Sequence, residues 1–257
     1  MGPWAMVRAI SCWLLIATGL TTWQVPAFER VATYRIEKKA AGPVRIDERF
    51  TPNQVDLLEK LNRADRDHLA RLPDLVVPES WGPDERAYSM LPLGYLSAAR
   101  YPKLLVVHLP GQLFGAYESG MLVRWGPINS GARRSQTPNG LFALNWRSTG
   151  HASSIDPDWY LRWYFNFGSR EGLAFHEYTL PGLPVSHGCI RLLSRDARWL
   201  FDWGEPWSSA GRSDGTPVLI IGAYDFEAPP PWRSPAWLLR PLELPPFPII
   251  SSSLGIE

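Results

Sequence analysis

Ser186-His187-Gly188-Cys189-Ile190-Arg191-Leu192 is the most specific string in the chain. Ile190 and Leu192 are branched apolar residues two apart, the period of a strand with one face against a core. In an extended Cys189–Leu193, Cys189 and Arg191 then share the opposite face. A thiol attacks carbonyls as the thiolate, so it needs a base or a cation nearby to lower its pKa. Arg191 beside the thiol supplies the cation, or grips a substrate carboxylate; a purely structural ion pair is the plain alternative. His176, one of five histidines, lies ten residues before Ser186 at the end of an apolar run, and is the candidate base. Gly188 permits a tight backbone in which the amides of Gly188 and Cys189 converge on a developing oxyanion. Ser186 and His187 are supporting positions, with His187 orienting the loop or hydrogen-bonding beside the oxyanion. A zinc site built from His176, His187 and Cys189 fits less well: His-x-Cys is tighter than usual ligand spacing, and only His151 or Glu177 could complete it. No metal and no organic cofactor are expected.

Around this string the pattern is one of short strands. Leu104–Leu109 is a buried-type run. Gln112–Tyr117 and Met121–Ile128 flank Glu118-Ser119-Gly120, which reads as a hairpin turn. Gly140–Trp146 alternates apolar and polar, and Leu173–Tyr178, Cys189–Leu193 and Thr216–Gly222 supply three more strands. One helix is expected over Arg195–Trp203, with Ser194 as its cap, Ala197, Leu200 and Phe201 on its buried face, and Gly204 at its end. These elements predict a compact, mainly β domain with one packed helix over residues 100–225. Asp156–Phe167 holds Trp159, Tyr160, Trp163, Tyr164, Phe165 and Phe167. Pairs four apart predict a short helix begun by Asp156-Pro157, either an aromatic surface for sugar or peptide or a satellite core.

The flanking pieces differ in composition. Residues 51–80 read as a small helical segment: Thr51-Pro52 opens a helix lined by Val55, Leu58 and Leu61, a second short helix covers Asp65–Leu72, and Leu75–Pro78 is extended. Residues 28–50 are a polar connector with a short strand near Tyr34–Ile36. In the segment 226–257, eight of the chain's 25 prolines fall between Pro229 and Pro248, giving an extended tail that covers a surface or stays loose.

The 257 residues suit one medium domain with accessory segments, and 45% apolar with 20% charged residues is enough to bury a core. This excludes a disordered chain, a coiled coil and a multi-span membrane protein. With 26 basic and 25 acidic side chains there is no basic excess of the kind that nucleic acid attracts. Residues 1–27 read as a signal peptide: Arg8, the apolar run Ala9–Leu20, and Val25-Pro26-Ala27 as a cleavage site. Uncleaved, residues 9–25 would anchor the chain in a membrane. Either way the rest is exported, to the periplasm or cell envelope. Of the two cysteines, Cys12 leaves with the signal, so Cys189 stands as a lone thiol in an oxidising compartment. Such a survivor is a buried apolar residue or a working nucleophile kept ionised and reachable.

The string Ser186–Arg191, with His176 upstream, resembles the L,D-transpeptidases with a YkuD-type catalytic domain. Leu104–Arg124, Ser130-Gly131, Thr137-Pro138-Asn139-Gly140, Asp196-Ala197 and Gly215-Thr216-Pro217-Val218 are similar to further elements of that family. The resemblance covers about Leu104 to Gly222. It departs in two places: Glu177 follows His176 where the family carries Gly, and the His176–Ser186 loop is short. Residues 51–80 resemble the back half of a LysM module without its Gly-Asp opening, or are a plain helical hairpin. The resemblance implies a YkuD-like sandwich and cofactor-free acyl transfer on peptidoglycan stem peptides. Cys189 is then the nucleophile, His176 the base, and a stem amine the acceptor. Two other readings stay open: a cysteine L,D-carboxypeptidase that uses water, and a non-catalytic wall-binding protein.

Overall fold

The computed structural model describes residues 33–38, 45–153, 155–156, 158–168, 172–209 and 213–247. The proposed signal or anchor segment, residues 28–32 and 39–44 of the connector and the last residues of the tail lie outside the described residues. In chain order the elements are β1 (Tyr34–Lys38), α1 (Ile46–Arg49), α2 (Pro52–Asn62), α3 (Arg66–Leu69), β2 (Asp74–Pro78), β3 (Lys103–His108), β4 (Leu113–Glu118), β5 (Met121–Pro127), β6 (Gly140–Ala143), β7 (Arg147–Ala152) and β8 (Tyr160–Gly168). They continue with β9 (Leu173–Glu177), β10 (Ile190–Leu192), α4 (Ser194–Trp203), β11 (Trp207–Ser208), β12 (Ser213–Asp214), β13 (Pro217–Ile221) and α5 (Pro235–Leu238). Among the described residues, no helix is long and apolar enough to cross a membrane.

The fold is mainly β. One sheet has the order β5-β4-β3-β13-β6, a second β10-β9-β8-β7, and β1-β2 and β11-β12 form two small pairs. β13 runs parallel to β3 and β10 parallel to β9, while the other pairings are antiparallel. The β4–β5 turn places Ser119 at φ 47° and Gly120 at φ 80°, the two left-handed residues that a two-residue hairpin needs to follow the strand twist.

β3 sits in the middle of its sheet and is covered on both faces, hence its unbroken apolar run. Leu105 and Val107 join β4, β13, β8, β9, β10 and α4 in the core between the two sheets. Leu104 and Val106 face the other way, onto Leu57 and Leu61 of α2 and onto Trp232, Leu238 and Phe247 of the Pro-rich tail. That tail is a cover as far as it is described. Leu242 N–H donates to Met90 O at 2.8 Å, Phe247 N–H to Ser97 Oγ at 3.0 Å, and Tyr95 Oη to Pro245 O.

The helical segment is bolted to the main domain. Pro52 starts α2, with Thr51 N–H donating to Gln54 Oε1 at 2.9 Å, and Arg63 ends it in the left-handed region at φ 56°. The fully buried Arg63 side chain donates from Nε to Gly111 O at 2.7 Å and lies 5.7 Å from the centre of the Trp232 ring. Segment, main domain and tail all touch this residue.

Three local expectations need correction. The aromatic run forms strand β8, paired with β7 and β9, where a short helix was expected. Aromatic residues favour a pleated surface, and the four-residue spacing of Trp159/Trp163 and Tyr160/Tyr164 does not mark a helix here. The φ of 52° at Trp163 reverses the alternation within the strand. Leu161 and Tyr164 therefore line one face, while Phe165 and Phe167 enter the core between the sheets. Second, Leu193 is the cap of α4 and Ser194 its first helical residue; the Ser194 hydroxyl donates to Glu177 Oε2 at 3.0 Å. Third, strand β6 stops at Ala143. The chain then changes sheets, with Leu144 N–H bonding Thr216 O and Asn145 N–H bonding Asn166 O at 2.9 and 2.8 Å.

Candidate active site

The parallel pairing of β9 with β10 sets Arg191 directly opposite His176. Ile190 and Leu192 are fully buried in the inter-sheet core, so Cys189 and Arg191 face the other way. Cys189, Arg191, His176, His187 and Ser186 line one cavity of about 240 Å³. Its remaining walls include Trp146, His151, Tyr164, Trp159 and Tyr178.

The loop carrying the thiol is held from below by the segment 129–137. Ser186 N–H donates to Ser130 O at 3.0 Å and Ala132 N–H to Ser186 O at 2.8 Å. Thr137 Oγ1 donates to Gly188 O at 2.7 Å and Ser135 Oγ to Ser186 O at 3.0 Å. Gly188 adopts φ +113°, a conformation that a side chain would resist. Its amide is not turned to the cavity for an oxyanion: it donates to Ser186 Oγ at 3.1 Å. Ser186 Oγ in turn donates to Cys189 O at 2.5 Å. Ser186 thus closes the loop on itself, and the Cys189 amide is the backbone donor carried by the nucleophile's own residue.

The His176 ring is 4% exposed, and its Nδ1 lies 3.0 Å from Glu177 O. A carbonyl only accepts, so Nδ1 carries the proton and Nε2 is left with its lone pair. Burial pulls this imidazole down to about 4, against the Glu177 carbonyl, with the Arg191 charge adding to the fall. Burial also pushes the Cys189 thiol above its ordinary value, opposed by the Ala174 amide and by Arg191. This corrects the expectation of a thiol kept ionised. Both directions favour the neutral forms, a thiol and a neutral imidazole lining one cavity. In this structure Sγ contacts Gly172 O at 3.8 Å, and it lines the same cavity as the His176 ring.

Arg191 is 8% exposed, and its guanidinium stacks 4.5 Å from the Tyr178 ring centre. Among the described residues no carboxylate comes within ion-pair distance of it, so its charge remains for the thiol or a substrate anion. His187 is exposed at the mouth, 5.6 Å from the Trp159 ring. Among the described residues, no group of three or more His, Cys, Asp or Glu is placed to hold a metal.

With the loop, the buried imidazole and the half-buried thiol in one cavity, the chain can be set beside known proteins. Residues 102–220 match the family model of YkuD, the L,D-transpeptidase catalytic domain. The YkuD match begins at the start of β3 and closes within β13, so it includes the cavity and excludes α2, α3 and the tail. Among solved structures, an L,D-transpeptidase from Stackebrandtia nassauensis is 22% identical with a TM-score of 0.42; the likeness covers 49% of this chain and 58% of that one. An L,D-transpeptidase from Mycobacterium tuberculosis H37Rv is 22% identical with a TM-score of 0.38, covering 47% of this chain and 58% of that one. The chain therefore spans less than two thirds of the length of these structures. No curated protein matches.

Trp146, Tyr178, Asn129 and Asp65 shape the site without any sequence motif that marks them, and His151 and Tyr164 enter it as wall residues. Tyr178 is the platform for Arg191, while Trp146, His151 and Tyr164 stack on one another with ring centres 4.5 to 5.3 Å apart. Asn129 grips the loop before Ser186, accepting from Val185 N–H at 3.1 Å and donating to Leu183 O. Asp65, outside the YkuD match, accepts from Leu180 N–H at 2.7 Å while its own N–H donates to Leu180 O at 2.9 Å.

Proposed function

We propose that this protein is an L,D-transpeptidase acting on the stem peptides of peptidoglycan. The observation that carries the reading is the strand register that sets Arg191 opposite His176 and so brings Cys189 and His176 into one cavity, inside a segment matching the YkuD model. Cys189 Sγ attacks the carbonyl at the L-centre of the diamino acid of the donor stem. Its proton passes to His176 Nε2 as the C–S bond forms, and the Cys189 amide faces the developing oxyanion. The tetrahedral centre then breaks its C–N bond. The leaving D-amino acid takes the proton from Nε2, and a thioester remains on Cys189. An acceptor amine attacks that carbonyl, loses its proton to Nε2, and the C–S bond breaks to return the thiol. Glu177 O holds Nδ1–H throughout, which keeps Nε2 as the working nitrogen. Water in place of the amine gives the hydrolytic variant of the same cycle.

The reaction places the chain outside the cytosol, in the periplasm or cell envelope, with residues 1–27 as the export signal or, uncleaved, residues 9–25 as an anchor. The domain assignment is also a proposal: 51–80 as the helical segment, 100–225 as the catalytic domain and 226–257 as the covering tail. The test is product analysis. Purified chain incubated with a synthetic tetrapeptide stem should yield a cross-linked dimer and free D-alanine, and Cys189→Ala should yield neither. Equal binding to cell wall by both proteins with no product from either would favour a wall-binding protein over an enzyme.

A further inference from the structure

We infer that the groove between the helical segment and the main domain binds the second substrate, the peptide whose amine takes the acyl group from Cys189. This rests on the transpeptidase reading above and adds where the acceptor sits. The groove has a volume of about 800 Å³, within the range of ligand-binding clefts. One wall is Glu59 of α2 with Asp65, Arg66 and Asp67 at α3; the other includes Arg162, Glu177 and Arg198. It meets the cysteine cavity at Tyr178, which lines both. The cavity of about 240 Å³ has room for the reacting end of one peptide, whereas transfer needs a second peptide to reach the same thioester from another side.

The lining matches a peptide that carries both charges. Arg198 is exposed, its guanidinium 5.3 Å from the Trp163 ring centre, and it pairs with no carboxylate among the described residues. Arg162 is held only loosely, 3.8 Å from Glu177 Oε1. These cations stand ready for the carboxylates of a stem. Glu177 turns its carbonyl to His176 Nδ1 and its carboxylate into the groove, which sets an ammonium site beside the catalytic base. The helical wall is fixed in place: Asp65 and Leu180 bond each other in both directions, Ala64 bridges Pro181, and Arg195 of α4 bonds Glu59 Oε2 at 2.5 Å. An acceptor laid along this groove brings its amine to the thioester carbonyl past Tyr178. The C–N bond forms, the C–S bond breaks, and the amine proton leaves through Nε2.

Arg162→Glu and Arg198→Glu, both at exposed positions, separate the two half-reactions in the full chain. The donor is the tetrapeptide stem; the acceptors are the same stem with free carboxylates and its carboxamide form. Thioester formation is followed by intact mass, and the ratio of cross-linked to hydrolysed product by chromatography. The expected result is thioester formation within about twofold of the parent and a cross-link ratio lower by roughly tenfold with the free-carboxylate acceptor, about 1.4 kcal/mol of lost binding. The carboxamide acceptor should be poor with the parent and little changed by either variant. An unchanged ratio in both variants, or a parent thioester that passes to water alone, overturns the groove while leaving the cysteine chemistry standing. A parent that forms no thioester removes the transpeptidase reading and the groove with it.

Discussion

Replacing His176 with Gln should slow thioester formation at Cys189 by about 10²- to 10⁴-fold, the usual loss when a positioned base is removed. Gln is close in size and keeps a donor for the Glu177 carbonyl, so the strand pair β9–β10 should survive. The pH profile carries the sign of the effect. In the parent the imidazole is already neutral above about 4, and the thiol ionises only above its ordinary value. Neither group titrates between about pH 5 and 8, so the parent rate should be nearly flat there, with His176 taking the proton as the thiol attacks. In the variant only the small thiolate fraction reacts. That fraction grows tenfold with each pH unit below the thiol pKa, so the variant rate should climb steeply and the gap should narrow toward alkaline pH. Stopped-flow or mass-resolved acylation at a series of pH values reads both quantities. A variant with the parent's rate and flat profile would remove His176 from the mechanism.

The second large effect concerns the tail. Trp232→Ala should destabilise the fold by about 3–5 kcal/mol, the range for truncating a buried aromatic. The Trp232 side chain is 1% exposed and lies within the hydrophobic core on the outer face of the β3 sheet. Its ring centre is 5.9 Å from that of Tyr224 and roofs the Arg63 guanidinium, whose Nη2 is buried without a partner. Removing the indole takes away dispersion contacts and leaves a cavity beside a cation that burial already pulls down to about 9. At roughly 2–4 °C per kcal/mol for a chain of this size, calorimetry should show a melting point lower by about 10 °C. An unchanged melting point would mean that the tail rests on the domain without stabilising it.

How much of this was legible in the sequence depends on how local each feature is. The face shared by Cys189 and Arg191 follows from the two-residue period of Ile190 and Leu192, which the core between the sheets fully buries. The hairpin at Ser119-Gly120 follows from local turn chemistry. The pairing of His176 with Arg191 does not, because a parallel register is set by partners far along the chain. Here those partners include Asn129, which ties Leu183 and Val185, and Asp65, which ties Leu180. The aromatic run suggests a helix by spacing, and spacing alone cannot show that one residue, Trp163, sits at positive φ and shifts the strand's alternation. The ionisation of the site is hidden from the sequence for a related reason. Arg191 two residues after Cys189, on the same strand face, predicts a lowered thiol pKa, but burial, which no short motif records, is the larger influence and pushes it up.

The most direct measurement is the intact mass of the full chain after exposure to the tetrapeptide stem or to a carbapenem, followed by peptide mapping. The account predicts an acyl adduct on Cys189 and an unmodified protein when that residue is alanine. An unlabelled wild-type chain, under conditions that label another L,D-transpeptidase, would contradict it.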